Sequence, residues 1–146
     1  MGSLIVTWDE VEKYCEELSQ KIEEDVRGKP NTIIAVSRGG MVPAALLSYH
    51  LGITDIEVIH PMVSRDRVES EVKFLRRFYT ELFNVLIVDD ILKTGLTIDS
   101  VMKFPYFDGI RVACLHIMKN LRTDLRPDYF IAEVDEEVLY PWHRRP

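Results

Sequence analysis

Cysteine is scarce in this 146-residue chain, and its spacing suits no cluster chemistry. Cys15 and Cys114 lie far apart on apolar faces, with no CxxC and no Cys/His spacing around them. Neither a disulfide framework nor a zinc site is indicated, and two small buried thiols in a reducing cytoplasm are expected. No apolar run approaches the ~18–20 residues needed to cross a membrane. The first residues lack the basic start and apolar stretch of a secretory signal. Met1-Gly2-Ser3 opens like a myristoylation site, but Val6 stands where Ser or Thr is required. Positive charge is also in deficit, with 18 Lys and Arg against 24 Asp and Glu and a net charge of −6, which argues against a general nucleic-acid binder. Neither GxGxxG nor GxxxxGK[ST] occurs, so dinucleotide and P-loop readings fail.

What remains is 47% hydrophobic and 29% charged, the profile of a folded soluble chain, and the length suits one domain over 1–146. Thr7-Trp8-Asp9-Glu10 reads as a capping box. Val11, Tyr14, Cys15, Leu18, Ile22 and Val26 follow at helical spacing, and Gly28 and Pro30 are expected to end that helix. Thr32-Ile33-Ile34-Ala35-Val36 is a continuous apolar run, the pattern of a strand covered on both faces. A helix is expected over 42–51, stopped by Gly52, then a strand over 56–59. The charged, unpatterned stretch 64–73 reads as a mobile loop. A buried strand over 84–89, a helix over 97–104, strands over 111–118 and 129–133, and a closing segment ending at Tyr140-Pro141-Trp142 complete the pass. Strands alternating with helices imply an α/β fold with a mostly parallel sheet flanked by helices. His116 alternates with apolar neighbours and reads as a satisfied core residue; His50, His60 and His143 carry no readable role.

Open parallel sheets collect ligands at the carboxyl ends of their strands, and two turns here sit at such ends. Thr94-Gly95-Leu96-Thr97 lies just before a helix, where backbone N–H groups and two hydroxyls can cradle a phosphate dianion. Asp89 and Asp90 precede it at the strand exit, where adjacent carboxylates can hold ribose hydroxyls and a hydrated magnesium ion. A phosphate cradle beside a diol-and-metal grip describes a sugar-phosphate site. In the second turn, Ser37-Arg38-Gly39-Gly40, two glycines allow close approach of an anion and Arg38 supplies charge.

The run from Val85 to Thr97 resembles the phosphoribosyl pyrophosphate motif of the type I phosphoribosyltransferases. The string from Ile34 to Leu47 is similar to the pyrophosphate loop of their xanthine-guanine branch, and the likeness extends from Trp8 to Trp142. The resemblance implies a single phosphoribosyltransferase domain with a small C-terminal hood over about 134–146. It implies Mg²⁺-dependent transfer of phosphoribosyl from phosphoribosyl pyrophosphate to xanthine, guanine or hypoxanthine, in purine salvage in the cytoplasm, by a homodimer or homotetramer. Partners would be the donor and a purine base or nucleotide, with no nucleic acid and no membrane. Asp89, Asp90, Lys93, Thr94, Gly95, Leu96 and Thr97 would bind the donor and its 5′-phosphate, with Asp89 and Asp90 on the metal. Ser37, Arg38, Gly39, Gly40 and Arg67 would bind pyrophosphate. Lys119 would meet the 6-oxo group of the base, with Glu137 and Val138 beside the ring, and Arg38, Asp89, Asp90 and Lys93 would carry catalysis.

The base end departs from that pattern. Lys93 stands where the branch has an aspartate facing the purine N7, and Glu137 where it has a stacking tryptophan. Ser70 replaces the loop arginine, with Arg65 or Arg67 as substitutes. Lys93 and Glu137 would either pair across the pocket mouth or read a different base. A regulatory protein that binds the donor with weak or no transfer is the other class of reading.

Overall fold

The computed structural model describes residues 2–60, 73–74, 82–103 and 107–143. In chain order these form β1 (Ser3–Ile5), α1 (Trp8–Glu24), β2 (Thr32–Val36), α2 (Met41–Leu51), β3 (Ile56–His60), β4 (Lys73–Phe74) and β5 (Leu82–Phe83). They continue through β6 (Val85–Leu92), α3 (Leu96–Met102), β7 (Phe107–Asp108), β8 (Arg111–Met118), β9 (Ala132–Val134) and β10 (Glu137–Leu139). None of the described helices is long and apolar enough to cross a membrane.

Thr7 caps α1 as its position demands, its hydroxyl accepting the Glu10 N–H at 3.2 Å. The helix ends at Glu24, short of the expected Gly28, because Asp25 turns extended (φ −68, ψ 128) and its carboxylate takes the Arg27 N–H at 2.9 Å. Val26 therefore leaves the apolar stripe and is fully exposed. α2 starts one residue earlier than expected and stops at Gly52, whose φ of +67° favours glycine.

The main sheet has the order β4-β3-β2-β6-β8-β9, with β4 antiparallel and the other five strands parallel. This is the expected mostly parallel α/β architecture. Alternation along the strands divides the core in two. Ile33, Ala35, Leu86, Val88, Ala113 and Leu115 pack with Val11, Cys15, Leu18 and Leu47 of α1 and α2. Ile34, Val36, Val85, Ile87, Val112 and Cys114 face Ile98 and Val101 of α3. Both cysteines are free and buried in these layers.

The strands also differ in places from the sequence reading. β6 runs to Leu92, so Asp89 and Asp90 lie inside the strand, not at its exit; pairing with β2 is last made at Ala35–Val88, but pairing with β8 continues to Leu92–Ile117. β9, the fifth parallel strand, starts at Ala132 and not at Tyr129, which makes only an isolated bridge to Ala113. The closing segment is stitched to the N-terminal one: β10 pairs in parallel with β1, a strand the sequence reading did not include. The expected loop over 64–73 lies outside the described residues except for Lys73, which pairs with His60 at the start of β4. α3 starts at Leu96, one residue earlier than expected, and ends at Met102 with Lys103 as its C-cap, short of the expected Phe104, which lies outside the described residues.

At the amino ends of the strands, Arg111 is a buried cation held by three hydrogen bonds. Its guanidinium donates to the Tyr129 hydroxyl (3.1 Å), Gly28 O (2.8 Å) and Asn84 Oδ1 (2.7 Å), with Asp25 Oδ2 at 3.9 Å. Arg111→Met would remove three hydrogen bonds and leave the buried Tyr129 hydroxyl without its donor, and we expect a loss of roughly 2 kcal/mol of stability. Urea denaturation checks this as a lower midpoint at unchanged slope.

Candidate active site

Register brings the two anion turns together. Ala35 is paired with Val88, so the chain leaving β2 as Ser37-Arg38-Gly39-Gly40 runs beside Asp89 and Asp90 of β6. Contact is close enough that a Cβ built on Gly39 would overlap the Asp90 carboxylate. A Cβ on Gly40 would lie 2.6 Å from Val36 O. Both glycines are therefore there for space, and neither has a positive φ. Ser37 Oγ lies 2.8 Å from His60 Nδ1, and the Ser37–Arg38 peptide is cis. Arg38 is exposed at the tip.

The diacid is held by its own backbone. Asp89 Oδ1 accepts the Asp90 N–H at 2.8 Å, and Asp90 Oδ1 accepts the Ile91 N–H at 2.7 Å. Asp90 is buried, and two side chains of the closing segment reach it: Trp142 Nε1 donates to Oδ2 at 3.2 Å, and His143 Nε2 lies 3.9 Å from the same oxygen. Burial first, and the neighbouring Asp90 charge second, push the Asp89 carboxyl well above the usual carboxylate range. Two carboxylates so placed resist a second negative charge, and a hard cation or hydroxyl donors would relieve that repulsion. Among the described residues no group of three or more acidic, His or Cys side chains could hold a metal alone. The pair suits a cation whose remaining ligands come from substrate oxygens and water.

Past β6, residues Lys93, Thr94, Gly95, Thr97 and Ile98 join Asp89 to Leu92 around a cavity of about 210 Å³. That is below the ~300–1,000 Å³ of a drug-sized pocket and suits a sugar-phosphate fragment. Gly95 adopts φ +80°, and a Cβ there would also lie 2.6 Å from Thr123 Oγ1. Thr94 Oγ1 accepts the Leu96 N–H at 3.2 Å, which fixes the turn, and the first-turn amides of α3 have no partner from within the helix. Lys93 is exposed beside them. A larger hollow between α1 and α2, about 530 Å³, is floored by Trp8, Met41, Val42, Ala45 and Leu46. Its charged residues, Asp9 and Glu12, have the wrong sign for a phosphate.

The phosphoribosyl transferase domain model matches residues 3–144. The chain belongs to the phosphoribosyltransferase family. As such an enzyme it is similar to a purine phosphoribosyltransferase from Pyrococcus horikoshii, with 30% identity over 100% of this chain and 97% of that one and a TM-score of 0.83. The xanthine-guanine-hypoxanthine phosphoribosyltransferase of Helicobacter pylori shares the fold at 21% identity and TM-score 0.79, over 97% of this chain and 94% of that one. A hypoxanthine-guanine phosphoribosyltransferase of Bacillus anthracis is 25% identical at TM-score 0.72, over 86% of this chain and 77% of that one.

Within this phosphoribosyltransferase the sequence-derived positions fall into two groups. Ser37 to Gly40 and Asp89 to Thr97 converge as described. Lys119 leaves β8 two residues after Ile117, the partner of Leu92, so it stands level with Thr94. Its ammonium pairs with Asp135 at 3.2 Å, and that hydrogen bond holds the Asp135 carboxyl below its ordinary range. Glu137 is exposed at the start of β10 and makes no ion pair within 4.0 Å of Lys93. The pairing of Lys93 with Glu137 is thus not formed. Val138 is buried in the core and is paired in register with Leu4 of β1. Arg65, Arg67 and Ser70 lie outside the described residues.

Three contributors lie beyond the site residues expected from the sequence. Arg122 N–H donates to Thr94 O at 2.9 Å, and Thr123 stands against Gly95, so the 122–123 segment walls the phosphate turn. The third is Trp142, whose bond to Asp90 spans 52 positions. No local sequence signal announces contacts of that range.

Proposed function

We propose that the protein transfers the 5-phosphoribosyl group from 5-phosphoribosyl 1-pyrophosphate to a 6-oxopurine, xanthine, guanine or hypoxanthine. The products are the nucleoside 5′-monophosphate and pyrophosphate, and the role is purine salvage in the cytoplasm. The observation that carries this is the packing of Gly39 against Asp90, which sets two anion turns on either side of one diacid. A donor with phosphate at one end, a ribose diol in the middle and pyrophosphate at the other matches that order. The purine assignment is supported by the named relatives and by Lys119, level with the phosphate turn.

In this reading the amides and hydroxyls of Thr94 to Thr97 bind the 5′-phosphate, with Lys93 adding charge. Asp89 and Asp90 hold the ribose hydroxyls and are the residues that would hold Mg²⁺. When bound, Mg²⁺ supplies positive charge to the departing pyrophosphate oxygens. Ser37 to Gly40 hold the pyrophosphate, with Arg38 opposing its negative charge, and Arg67 is assigned to the same end. A base nitrogen attacks the anomeric carbon as the bond to pyrophosphate breaks. The ring then carries oxocarbenium character, so positioning and charge stabilisation do the work. The 64–73 segment would exclude water that otherwise hydrolyses the donor, and the assembly would be a homodimer or homotetramer.

Steady-state turnover with the donor and a panel of bases tests the reading. Nucleotide should form from 6-oxopurines. Product from pyrimidines or adenine alone would overturn the base assignment. Lys93→Asp should raise kcat/KM on 6-oxopurines by about 100-fold, the low end of acid–base effects, by restoring one proton partner beside N7. No gain in the same assay would show that the cation at 93 serves the phosphate alone.

A further inference from the structure

Asp90 has both carboxylate oxygens engaged before any substrate arrives. Oδ1 takes the Ile91 N–H at 2.7 Å, and Oδ2 takes the Trp142 indole N–H at 3.2 Å. The main chain is anchored as well, since the Tyr140 hydroxyl donates to Asp90 O at 3.1 Å. Burial, then the Asp90 charge, push the Tyr140 phenol up, so it stays a donor at neutral pH. With its one hydrogen given to Asp90 O, the hydroxyl accepts from His116 Nδ1 at 2.7 Å, which requires the Nδ1–H tautomer.

The indole is itself held between rings. Tyr140 and Trp142 stack with centroids 4.7 Å apart at 9°, and Trp8, the first residue of α1, lies tilted at 5.9 Å. The closing segment after β10 thus reaches the Asp90 carboxylate, backed by Trp8 at the start of α1. An indole N–H donates only; it takes no proton and ligates no cation. It therefore orients the carboxylate without neutralising it or competing for what the carboxylate binds. An ammonium or guanidinium at the same place would cancel the charge the site needs.

Resting on the proposed function, we infer that Trp142 is a positioning residue for the donor. Its N–H locks Asp90 in the orientation that offers the remaining lone pairs to the ribose hydroxyls and the cation. Freed of that bond, the carboxylate could rotate away from the position it holds against Gly39, and donor affinity would fall while the base end stayed as it was.

Trp142→Phe keeps a stacking ring and deletes the N–H. The expected result is a rise of about tenfold in KM for phosphoribosyl pyrophosphate, the worth of one hydrogen bond to a charged group. KM for the base should change less than about twofold, and the thermal midpoint should stay close to that of the parent protein. An unchanged or lower donor KM, or equal rises in both KM values, would overturn the role. A double-mutant cycle with Asp90→Asn supplies a second readout, because Trp142→Phe should weaken direct donor binding far less once the carboxylate is gone. Equal effects in both backgrounds would contradict the inference. Donor binding by the unaltered protein is measured first, and its absence would strike down the functional reading itself.

Discussion

Gly39→Ala should lower kcat/KM by about 10³-fold, equivalent to ~4 kcal/mol, while leaving the fold standing. Gly39 has no positive φ, so an alanine meets no backbone penalty there. The obstacle is space, because the new methyl would overlap the Asp90 carboxylate. That carboxylate has no slack to give: one oxygen is tied to Ile91 N–H and the other to the Trp142 indole. Either the pyrophosphate turn moves away or Asp90 swings out, and both separate the two ends of the donor site. Stability should change little, since the position is a half-buried turn and not part of either core layer. Turnover measured beside a thermal melt checks the pair of expectations. Near-normal activity would mean that the turn and the diacid do not act together.

Asp90→Asn should weaken binding of the donor with Mg²⁺ by about 100-fold, or ~2.7 kcal/mol, in a calorimetric titration. The change preserves shape but removes a charge and one acceptor. Asp90 now accepts from two N–H groups with its two oxygens. An asparagine has a single oxygen for both, so one donor would face the new amide NH₂. The substitution also removes the Asp90 charge that helps to push Asp89 up, so the remaining carboxyl should ionise at lower pH than before. Unchanged donor affinity would contradict the assignment of the diacid.

The parts of this site that were legible from sequence are those whose chemistry is local. Val85 to Thr97 places strand, acids, glycine and hydroxyls within 13 consecutive residues, and the structure keeps them around one cavity. β2 and β8 were read with correct bounds because largely apolar runs buried on both faces leave little choice of register. The end of α1 was misread because Val26 continues the helical spacing, whereas the Asp25 carboxylate bonded to Arg27 stops it. β1 and β10 were opaque for a different reason: two three-residue strands from opposite ends of the chain define each other only by pairing. The hold on Asp90 by Trp142 and Tyr140 is equally non-local. At the base end, opposite charges at 93 and 137 suggested an ion pair, yet Glu137 is fixed by the register of β10 with β1, and no such pair forms.

The central claim is that one cleft holds a phosphoribosyl group between two anion turns. A crystal structure with a nucleoside 5′-monophosphate product tests it most directly. The account predicts the 5′-phosphate on the amides and hydroxyls of Thr94 to Thr97, the ribose hydroxyls on Asp89 and Asp90, and the base directed toward Lys119. A nucleotide bound instead in the hollow between α1 and α2, with the 94–97 turn empty, would contradict it.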